Sequence, residues 1–171
     1  MTTQSVQLPT AADTHEFGRN LAAVLRAGDI VLLTGPLGAG KTALAQGIGK
    51  GLDVQGAVTS PTFVIARVHR PVVAGRPAMV HVDAYRLGDV KDPIGELDAL
   101  DLDATVEDSV TLVEWGEGFV EHLADDHLEL RLTRHDDDTR TVTVVPHGAG
   151  WPARVAHLVP AKKTQQSSAE D

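Results

Sequence analysis

The residues Gly35-Pro36-Leu37-Gly38-Ala39-Gly40-Lys41-Thr42 form the pattern G-x-x-x-x-G-K-T, which decides the fold class of this chain. An apolar run at residues 29–34 precedes the octet, and a helix-forming stretch at residues 43–50 follows it. Strand, glycine-rich turn and helix in this order are the context in which the pattern binds phosphate. The glycines let successive N–H groups point at phosphate oxygens, and the helix adds its positive N-terminal end. A glycine-rich loop that only turns the chain is the alternative, and the complete spacing argues against it.

Two side chains of this octet have distinct expected roles. Lys41 would reach the β- and γ-phosphates of a nucleotide, and the Thr42 hydroxyl would be a ligand of Mg²⁺. The sequence therefore predicts a nucleotide and a magnesium ion as cofactors.

The composition is that of a soluble globular protein with an acidic balance. The chain has 171 residues, 42% of them hydrophobic, no cysteine and a formal net charge of −9. We expect residues 1–158 to form a single domain and residues 159–171 a flexible tail. Neither a membrane span nor a signal peptide is evident in the sequence, which favours a cytoplasmic location. The negative charge disfavours direct, tight binding to nucleic acid.

The hydrophobic pattern predicts an α/β fold of the P-loop NTPase type: a three-layer domain with a mixed sheet, parallel at its centre and extended by antiparallel hairpins. Asp13 and Glu16 resemble a capping box that starts the first helix, and Gly28 is expected to end it. A second helix is expected from Lys41 to Leu52. The remaining expected elements are strands at residues 5–8, 63–68, 79–82, 110–113, 127–132 and 141–145, a short helix near 94–100 and a final helix at 150–158.

Polar residues follow two of the predicted strands. His81 and Asp83 stand two apart at a strand end and therefore point to the same face. Asp83 could order a water molecule against a γ-phosphate, and Arg86 could pair with phosphate or with Asp83; a structural ion pair beside a partly buried histidine is the alternative. Glu114 ends the next strand, where phosphate-loop proteins place a carboxylate that supports Mg²⁺.

A hydroxyl-rich segment, Thr59-Ser60-Pro61-Thr62, lies between the helix after the loop and the next strand. This is the place of a nucleotide-sensing switch, in which Thr62 could approach the γ-phosphate or Mg²⁺. An ordinary turn before a strand explains the same residues equally well.

The four clusters in this order resemble one family, the bacterial TsaE (YjeE) ATPases of tRNA threonylcarbamoyladenosine synthesis. The resemblance covers about residues 5–146. The segments that carry it are G-P-L-G-A-G-K-T at 35–42, S-P-T-F at 60–63, H-V-D-A-Y-R-L at 81–87 and E-W-G-E at 114–117.

The resemblance implies a role for each matching residue. Lys41, Thr62 and Asp83 would be catalytic, with Asp83 helping to position the attacking water, and residues 9–14 would lie near the adenine. Thr42 and Glu114 would be the Mg²⁺ ligands. The phosphates of ATP would be wrapped by Leu37, Gly38, Ala39, Gly40, Lys41, Thr42 and Ala43, with Arg140 approaching the nucleotide.

The resemblance also implies a slow Mg²⁺-dependent ATPase that works with the transferase subunits TsaD and TsaB, with tRNA contacted only through that complex. Other activities remain open from the residues alone. A small-molecule kinase would normally carry an arginine-rich lid, and none is evident. A GTPase would commonly carry an N-K-x-D loop, whereas Asn20, in another context, is the only asparagine. A scaffold that binds ATP without turnover is the third alternative.

Overall fold

A computed structural model describes residues 3–36, 38–59, 66–83, 106–114 and 126–158 of the chain. These residues form seven strands, three helices and one 3-10 turn at Val106–Asp108. The strands are β1 (Gln4–Leu8), β2 (Ile30–Thr34), β3 (Ala66–His69), β4 (Ala78–Asp83), β5 (Ser109–Glu114), β6 (His127–Arg134) and β7 (Arg140–His147). The helices are α1 (Ala11–Ala22), α2 (Lys41–Leu52) and α3 (Trp151–Val155).

All seven strands belong to one mixed sheet, in the order β1-β7-β6-β2-β5-β4-β3. The four central strands β6, β2, β5 and β4 are parallel, while β7 pairs antiparallel with both β6 and β1, and β3 pairs antiparallel with β4. The predicted α/β fold with a parallel centre and antiparallel hairpins is confirmed. The carboxyl ends of β2, β5 and β4 meet at one edge of the sheet, which is where ligands sit in open α/β sheets.

The two faces of the central strands are both buried, as expected for parallel strands. Val31 and Leu33 point to the face covered by α1 and α2 and belong to the main hydrophobic core. Ile30 and Leu32 alternate with them and are buried on the opposite face. The short helix predicted near residues 94–100, the strand residues 63–65 and the tail at 159–171 lie outside the described residues.

The start and the end predicted for α1 are both wrong. The N-cap is Thr10: its hydroxyl accepts a hydrogen bond from the Asp13 N–H, and the Asp13 carboxylate accepts one from the Thr10 N–H. Asp13 is therefore the third helical residue of a Thr10–Asp13 capping box. The helix ends at Ala22, and Gly28, with φ +92°, belongs to the loop before β2, where its N–H donates to the Ser109 carbonyl at 2.9 Å.

Helix α2 has the predicted bounds and packs against α1 with very little space between the backbones. A Cβ added at Gly18 would lie 2.6 Å from the Leu44 carbonyl oxygen, and one at Gly51 would lie 2.5 Å from the Ala22 Cβ. A Cβ at Gly47 would overlap the His15 carbonyl group. Small residues on the facing surfaces therefore fix α2, and the loop that precedes it, against the rest of the domain.

The last helix is shorter than predicted, because α3 covers five residues and continues only as a turn to Leu158. Trp151 and Val155 bury its inner side in the main core. The two predicted hairpins, β3–β4 and β6–β7, are confirmed. Among the described residues, no helix is long and apolar enough to cross a membrane.

Candidate functional site

The glycine-rich loop between β2 and α2 has the backbone conformation that only glycine adopts readily. Gly35, Gly38 and Gly40 have φ angles of +146°, +79° and +104°. A Cβ at Gly35 would also lie 2.6 Å from the Leu132 carbonyl oxygen of β6. Between the glycines, Ala39 is fully buried and its N–H donates to the Pro36 carbonyl at 3.1 Å. These positions show why the chain has glycines here: the loop curls tightly while it packs against the sheet.

Lys41, the first residue of α2, lies across this loop. Its ammonium group donates a hydrogen bond to the Gly35 carbonyl at 2.6 Å, and the residue is 7% exposed. Gly40 is the N-cap and has no side chain, so the cap residue itself supplies no oxygen to the first N–H groups of the helix. Thr42 and Ala43 follow in the first turn and are half-buried. A buried cation at the N-terminus of a 12-residue helix favours an anion.

Two carboxylates lie at the same sheet edge as this loop. Asp83 ends β4 and Glu114 ends β5, and the two residues are paired in the register of these parallel strands. Glu114 is also paired with Leu33 of β2, two residues before the loop begins. By the alternation of each strand, both carboxylates point to the face that carries α2. The predicted juxtaposition of the loop with Asp83 and Glu114 is therefore present, and both carboxylates are buried.

His81 is completely buried and adjoins Glu114. Its Nε2 atom lies 3.1 Å from Glu114 Oε1, and it points to the same face as Asp83 because the two are two residues apart on β4. The sequence left open a structural ion pair beside a partly buried histidine; His81 is in fact fully buried, and the acid beside it is Glu114.

Arg140, the first residue of β7, reaches the loop from the opposite side. Its guanidinium donates a hydrogen bond to the Gly38 carbonyl at 3.2 Å. It also donates to the Asp138 carbonyl oxygen and lies 3.1 Å from the Asp138 carboxylate. The hairpin that joins β6 to β7 thus brings an arginine to the phosphate loop, and the approach of Arg140 to the nucleotide stays a prediction.

Sequence reasoning missed a second arginine at this position, Arg134. Its guanidinium lies 2.7 Å from the Asp138 carboxylate. A Cβ added at Gly38 would lie 3.4 Å from Arg134 Nη1. Hydrogen bonding and charge from Arg134, followed by those from Arg140, hold the pKa of the exposed Asp138 below its usual value. Asp138 has φ +69° at the hairpin turn. The signal in the sequence was that Arg134 and Arg140 flank the aspartates at 136–138. The geometry of the turn is needed to bring these two arginines together.

The N-terminus of α1 adjoins the other side of the loop. A Cβ at Gly40 would lie 3.7 Å from Thr14 Cγ2. Thr14, in the first turn of α1, is thus close to the phosphate loop, and the position of residues 9–14 near the adenine stays a prediction. Leu37, Thr62 and Arg86 lie outside the described residues, so their predicted roles stay predictions.

The groups at this site can be compared with those that ATP and Mg²⁺ require. A curled loop with three left-handed glycines, a buried lysine and a helix N-terminus suits phosphate groups. A threonine hydroxyl and a carboxylate are oxygen ligands of the kind that Mg²⁺ takes, and Mg²⁺ commonly uses one or two carboxylates together with substrate phosphates. Within the described ranges, no group of three His, Asp or Glu side chains could hold a metal by itself. The donor set therefore fits magnesium carried with a nucleotide.

Fold and site together define an α/β protein of the phosphate-loop class, with paired strand-end carboxylates beside the loop. Comparison with known proteins then identifies the family. The family model described as "Threonylcarbamoyl adenosine biosynthesis protein TsaE" matches residues 8–142. The chain belongs to the TsaE family.

Relatives and a solved structure agree with this assignment. The chain is 56% identical over 139 residues to the tRNA threonylcarbamoyladenosine biosynthesis protein TsaE of Mycobacterium bovis, covering 80% of this chain and 83% of the relative. It is 57% identical over 141 residues to the protein of the same name from Streptomyces coelicolor, covering 80% and 93%. The crystal structure of Bacillus subtilis YdiB superimposes with a TM-score of 0.72 at 26% identity, covering 92% of this chain and 94% of that one.

Proposed function

We propose that this protein is a Mg²⁺-dependent ATPase that acts with the TsaB–TsaD transferase pair in the threonylcarbamoyladenosine modification of tRNA beside the anticodon. The observation that carries the proposal is the placement of Glu114 and Asp83, in register on neighbouring strands, at the sheet edge from which the Lys41 loop rises. The printed names of the relatives, which refer to this biosynthesis, supply the pathway.

Each residue of the site would have a separate role in phosphoryl transfer to water. Lys41 and the loop N–H groups at residues 37–43 would bind the phosphates, and Arg140 would add positive charge from the β6–β7 hairpin. Thr42 and Glu114 would hold Mg²⁺, which neutralises charge on the phosphate oxygens when it is bound. Asp83 would orient the attacking water molecule, and Thr62 in the switch segment would contact the γ-phosphate or Mg²⁺.

Slow turnover by the isolated chain would follow if a stabilising element arrives from a partner. An element supplied in trans raises phosphoryl-transfer rates by roughly 10³–10⁵ in other phosphate-loop proteins. The net charge of −9 fits a subunit that leaves the tRNA contacts to TsaB and TsaD. We place this activity in the cytoplasm, where the tRNA substrate is found, with no membrane partner.

The test is phosphate release from ATP by the purified chain, with Mg²⁺, in the presence and absence of the TsaB–TsaD pair. We expect slow release by the chain alone and stimulation of at least tenfold by the pair. Glu114→Gln is the matched variant, since it keeps the shape of the side chain but removes its charge, and it should lose the stimulated rate. Turnover that the pair does not change would contradict the proposed function, as would a preference for GTP.

A further inference from the structure

The hairpin formed by β3 and β4 has a charge opposite to that of the molecule. Residues 66–82, here called the basic hairpin, contain three arginines and no Asp or Glu, and the one acid of the two strands is Asp83 at the end of β4, whereas the whole chain has 24 acidic and 15 basic residues. Arg67 and Arg76 are exposed, and neither forms an ion pair within the described part of the chain. The basic hairpin is therefore a positive region on an acidic protein.

The tip of the same hairpin exposes apolar side chains. Val72 and Val73 are 57% and 53% exposed, and among the described residues they are the only large hydrophobic side chains so exposed. Scattered surface valines are ordinary, but two adjacent ones flanked by Arg70 and Arg76 form a small apolar centre with a mainly basic rim, beside which Asp53 is the exposed acid. Interfaces between proteins have this anatomy, an apolar centre surrounded by polar groups.

The tip is held firmly although it is exposed. The Val72 N–H donates to the Asp53 carbonyl at 2.9 Å, and the Gln55 N–H donates to the Arg70 carbonyl at 2.8 Å. His69 Nδ1 lies 3.0 Å from the Gln55 carbonyl oxygen, and an isolated bridge pairs Val54 with Pro71. The segment that follows α2 thus fixes the backbone at Val72, and a preformed surface loses less entropy on binding.

Protection of a sheet edge explains only part of this composition. β3 is an edge strand, and positive side chains on edge strands discourage pairing with other chains. That accounts for Arg67. Val72 and Val73 lie in the loop beyond β3, where no strand edge needs protection, and exposed valines would themselves promote association.

We propose that the basic hairpin is a docking surface for an apolar patch with an acidic rim on a partner protein. The inference rests on the proposed function in taking the TsaB–TsaD pair as that partner. Protein is favoured over nucleic acid because the valines add nothing to phosphate binding and the remaining charge of the molecule repels it. The tip lies at the far end of the 12-residue helix α2 from the phosphate loop, about 18 Å along its axis.

The experiment is calorimetric titration of the TsaB–TsaD pair with the full chain, in ATP and Mg²⁺. Val72→Thr with Val73→Thr should weaken binding at least tenfold, whereas the control Val72→Ile with Val73→Ile should leave it within twofold. Arg76→Glu should weaken binding more than Arg26→Glu, an equal change of charge at another exposed arginine. Added salt should reduce the difference between these two, because it screens exposed charges.

Nucleotide affinity and thermal stability should stay unchanged in all four variants, because the altered side chains are exposed and distant from the loop. Equal binding by the wild type and every hairpin variant would overturn this inference and leave the proposed function intact. Failure of the wild-type chain to bind the TsaB–TsaD pair would contradict both this inference and the proposed function. If Arg76→Glu alone lost tRNA binding, the hairpin would be a nucleic-acid site and the proposal would be overturned. If sedimentation showed that the valine variants lost self-association, the hairpin would bind a second copy of this chain, which would also overturn the proposal.

Discussion

Lys41 connects the two ends of the phosphate loop. It begins α2, is 7% exposed, and donates to the carbonyl of Gly35, where the loop starts. A buried ammonium group held in this way is costly unless an anion or several oxygens compensate it. The ammonium group donates to the Gly35 carbonyl oxygen, and phosphate oxygens would be suitable acceptors for an ammonium group at this place.

Replacement of Lys41 with alanine should weaken ATP binding at least tenfold, because the positive charge opposite the β- and γ-phosphates is lost. Lys50→Ala is the matched control: it makes the same change on the same helix, but at an exposed position in the last turn. Equilibrium titration with a fluorescent ATP analogue measures both. Unchanged affinity in Lys41→Ala would argue strongly against the assigned phosphate site.

Glu114→Gln should remove most of the Mg²⁺ dependence of nucleotide binding, because an uncharged amide is a weaker ligand for magnesium than a carboxylate. The substituted side chain has the same shape beside His81, 3.1 Å away, so we expect the fold to be retained. Titration of Mg²⁺ at fixed ATP, with circular dichroism as the control, measures this. A normal Mg²⁺ dependence in a folded variant would reassign the metal ligand.

The placement of Lys41, Asp83 and Glu114 at one sheet edge could be predicted from sequence because each residue stands at a fixed offset from a strong local pattern. Arg140 was predicted from resemblance alone, and Arg134 was missed. Both depend on the β6–β7 turn, where Asp138 draws the two guanidinium groups toward Gly38. Contacts between residues about 100 positions apart in the chain have no local signal.

Helices α1 and α2 touch through glycines that would be unfavourable in an isolated helix. Gly47 and Gly51 face α1, four residues apart on one side of α2, while Gly49 faces Val58 and Met79. Each glycine inside a helix costs roughly 0.5–1 kcal/mol relative to alanine. The close contact of the two backbones compensates for this cost and places the start of α1 beside the loop.

Gly47→Ala should therefore destabilise the protein, although alanine is the better helix former. Its methyl group would overlap the His15 carbonyl, and overpacking of this kind typically costs about 1–3 kcal/mol. The control is Gly150→Ala, at the N-cap of α3, where an added Cβ meets no atom within 4 Å and φ is −78°. Chemical denaturation of both variants should show a clear loss only for Gly47→Ala. Equal stability of the two would contradict the close helix contact.

Strands β6 and β7 carry a charged cluster on the face opposite α1 and α2. Glu129 accepts hydrogen bonds from Arg131 at 2.8 Å and pairs with His147 at 3.1 Å, and the His147 ring stacks on His127. Burial raises the pKa of Glu129, but the hydrogen bonds and charges of Arg131 and His147 together outweigh it, so the pKa is lower than usual. The stabilising contribution of Glu129 is therefore present above the unfolded-state pKa of about 4.3 and is lost as the pH falls through the lower native value.

Glu129→Gln should be less stable than the wild type at neutral pH by about 1–3 kcal/mol, the usual contribution of hydrogen bonds to a charged group. The difference should shrink as the pH falls below about 5, because the wild-type carboxylate then becomes protonated. Thermal unfolding between pH 3 and 5 measures the trend. A difference that grows as the pH falls from 5 to 3 would show that the sign assigned to Glu129 is wrong.

The elements were predicted well where hydrophobic periodicity and turn residues agree, as in α2 and the two hairpins. The bounds of α1 were wrong because two candidate capping boxes overlap, Thr10 with Asp13 and Asp13 with Glu16, and the local pattern does not rank them. The structure uses the first. The end at Ala22 is set by the path that the chain takes to β2, a tertiary requirement that Gly28 does not reveal.

The strand order of the whole sheet could not be predicted from the sequence. β2 lies between β5 and β6, which follow it in the chain by about 75 and 95 residues. This order brings Glu114 into register with Leu33 and Asp83 and so completes the candidate site. The mixed sheet was predictable as a class, but its order depends on pairing between distant segments, which one sequence does not encode locally.

We propose that ATP hydrolysis by this chain supports tRNA modification by TsaB and TsaD. The most direct test counts rounds of threonylcarbamoyl transfer to tRNA by the TsaB–TsaD pair, alone, with this chain, and with its Lys41→Ala variant. We expect repeated rounds only with the wild-type chain and ATP. Repeated rounds without the chain, or equal support from Lys41→Ala, would contradict the account.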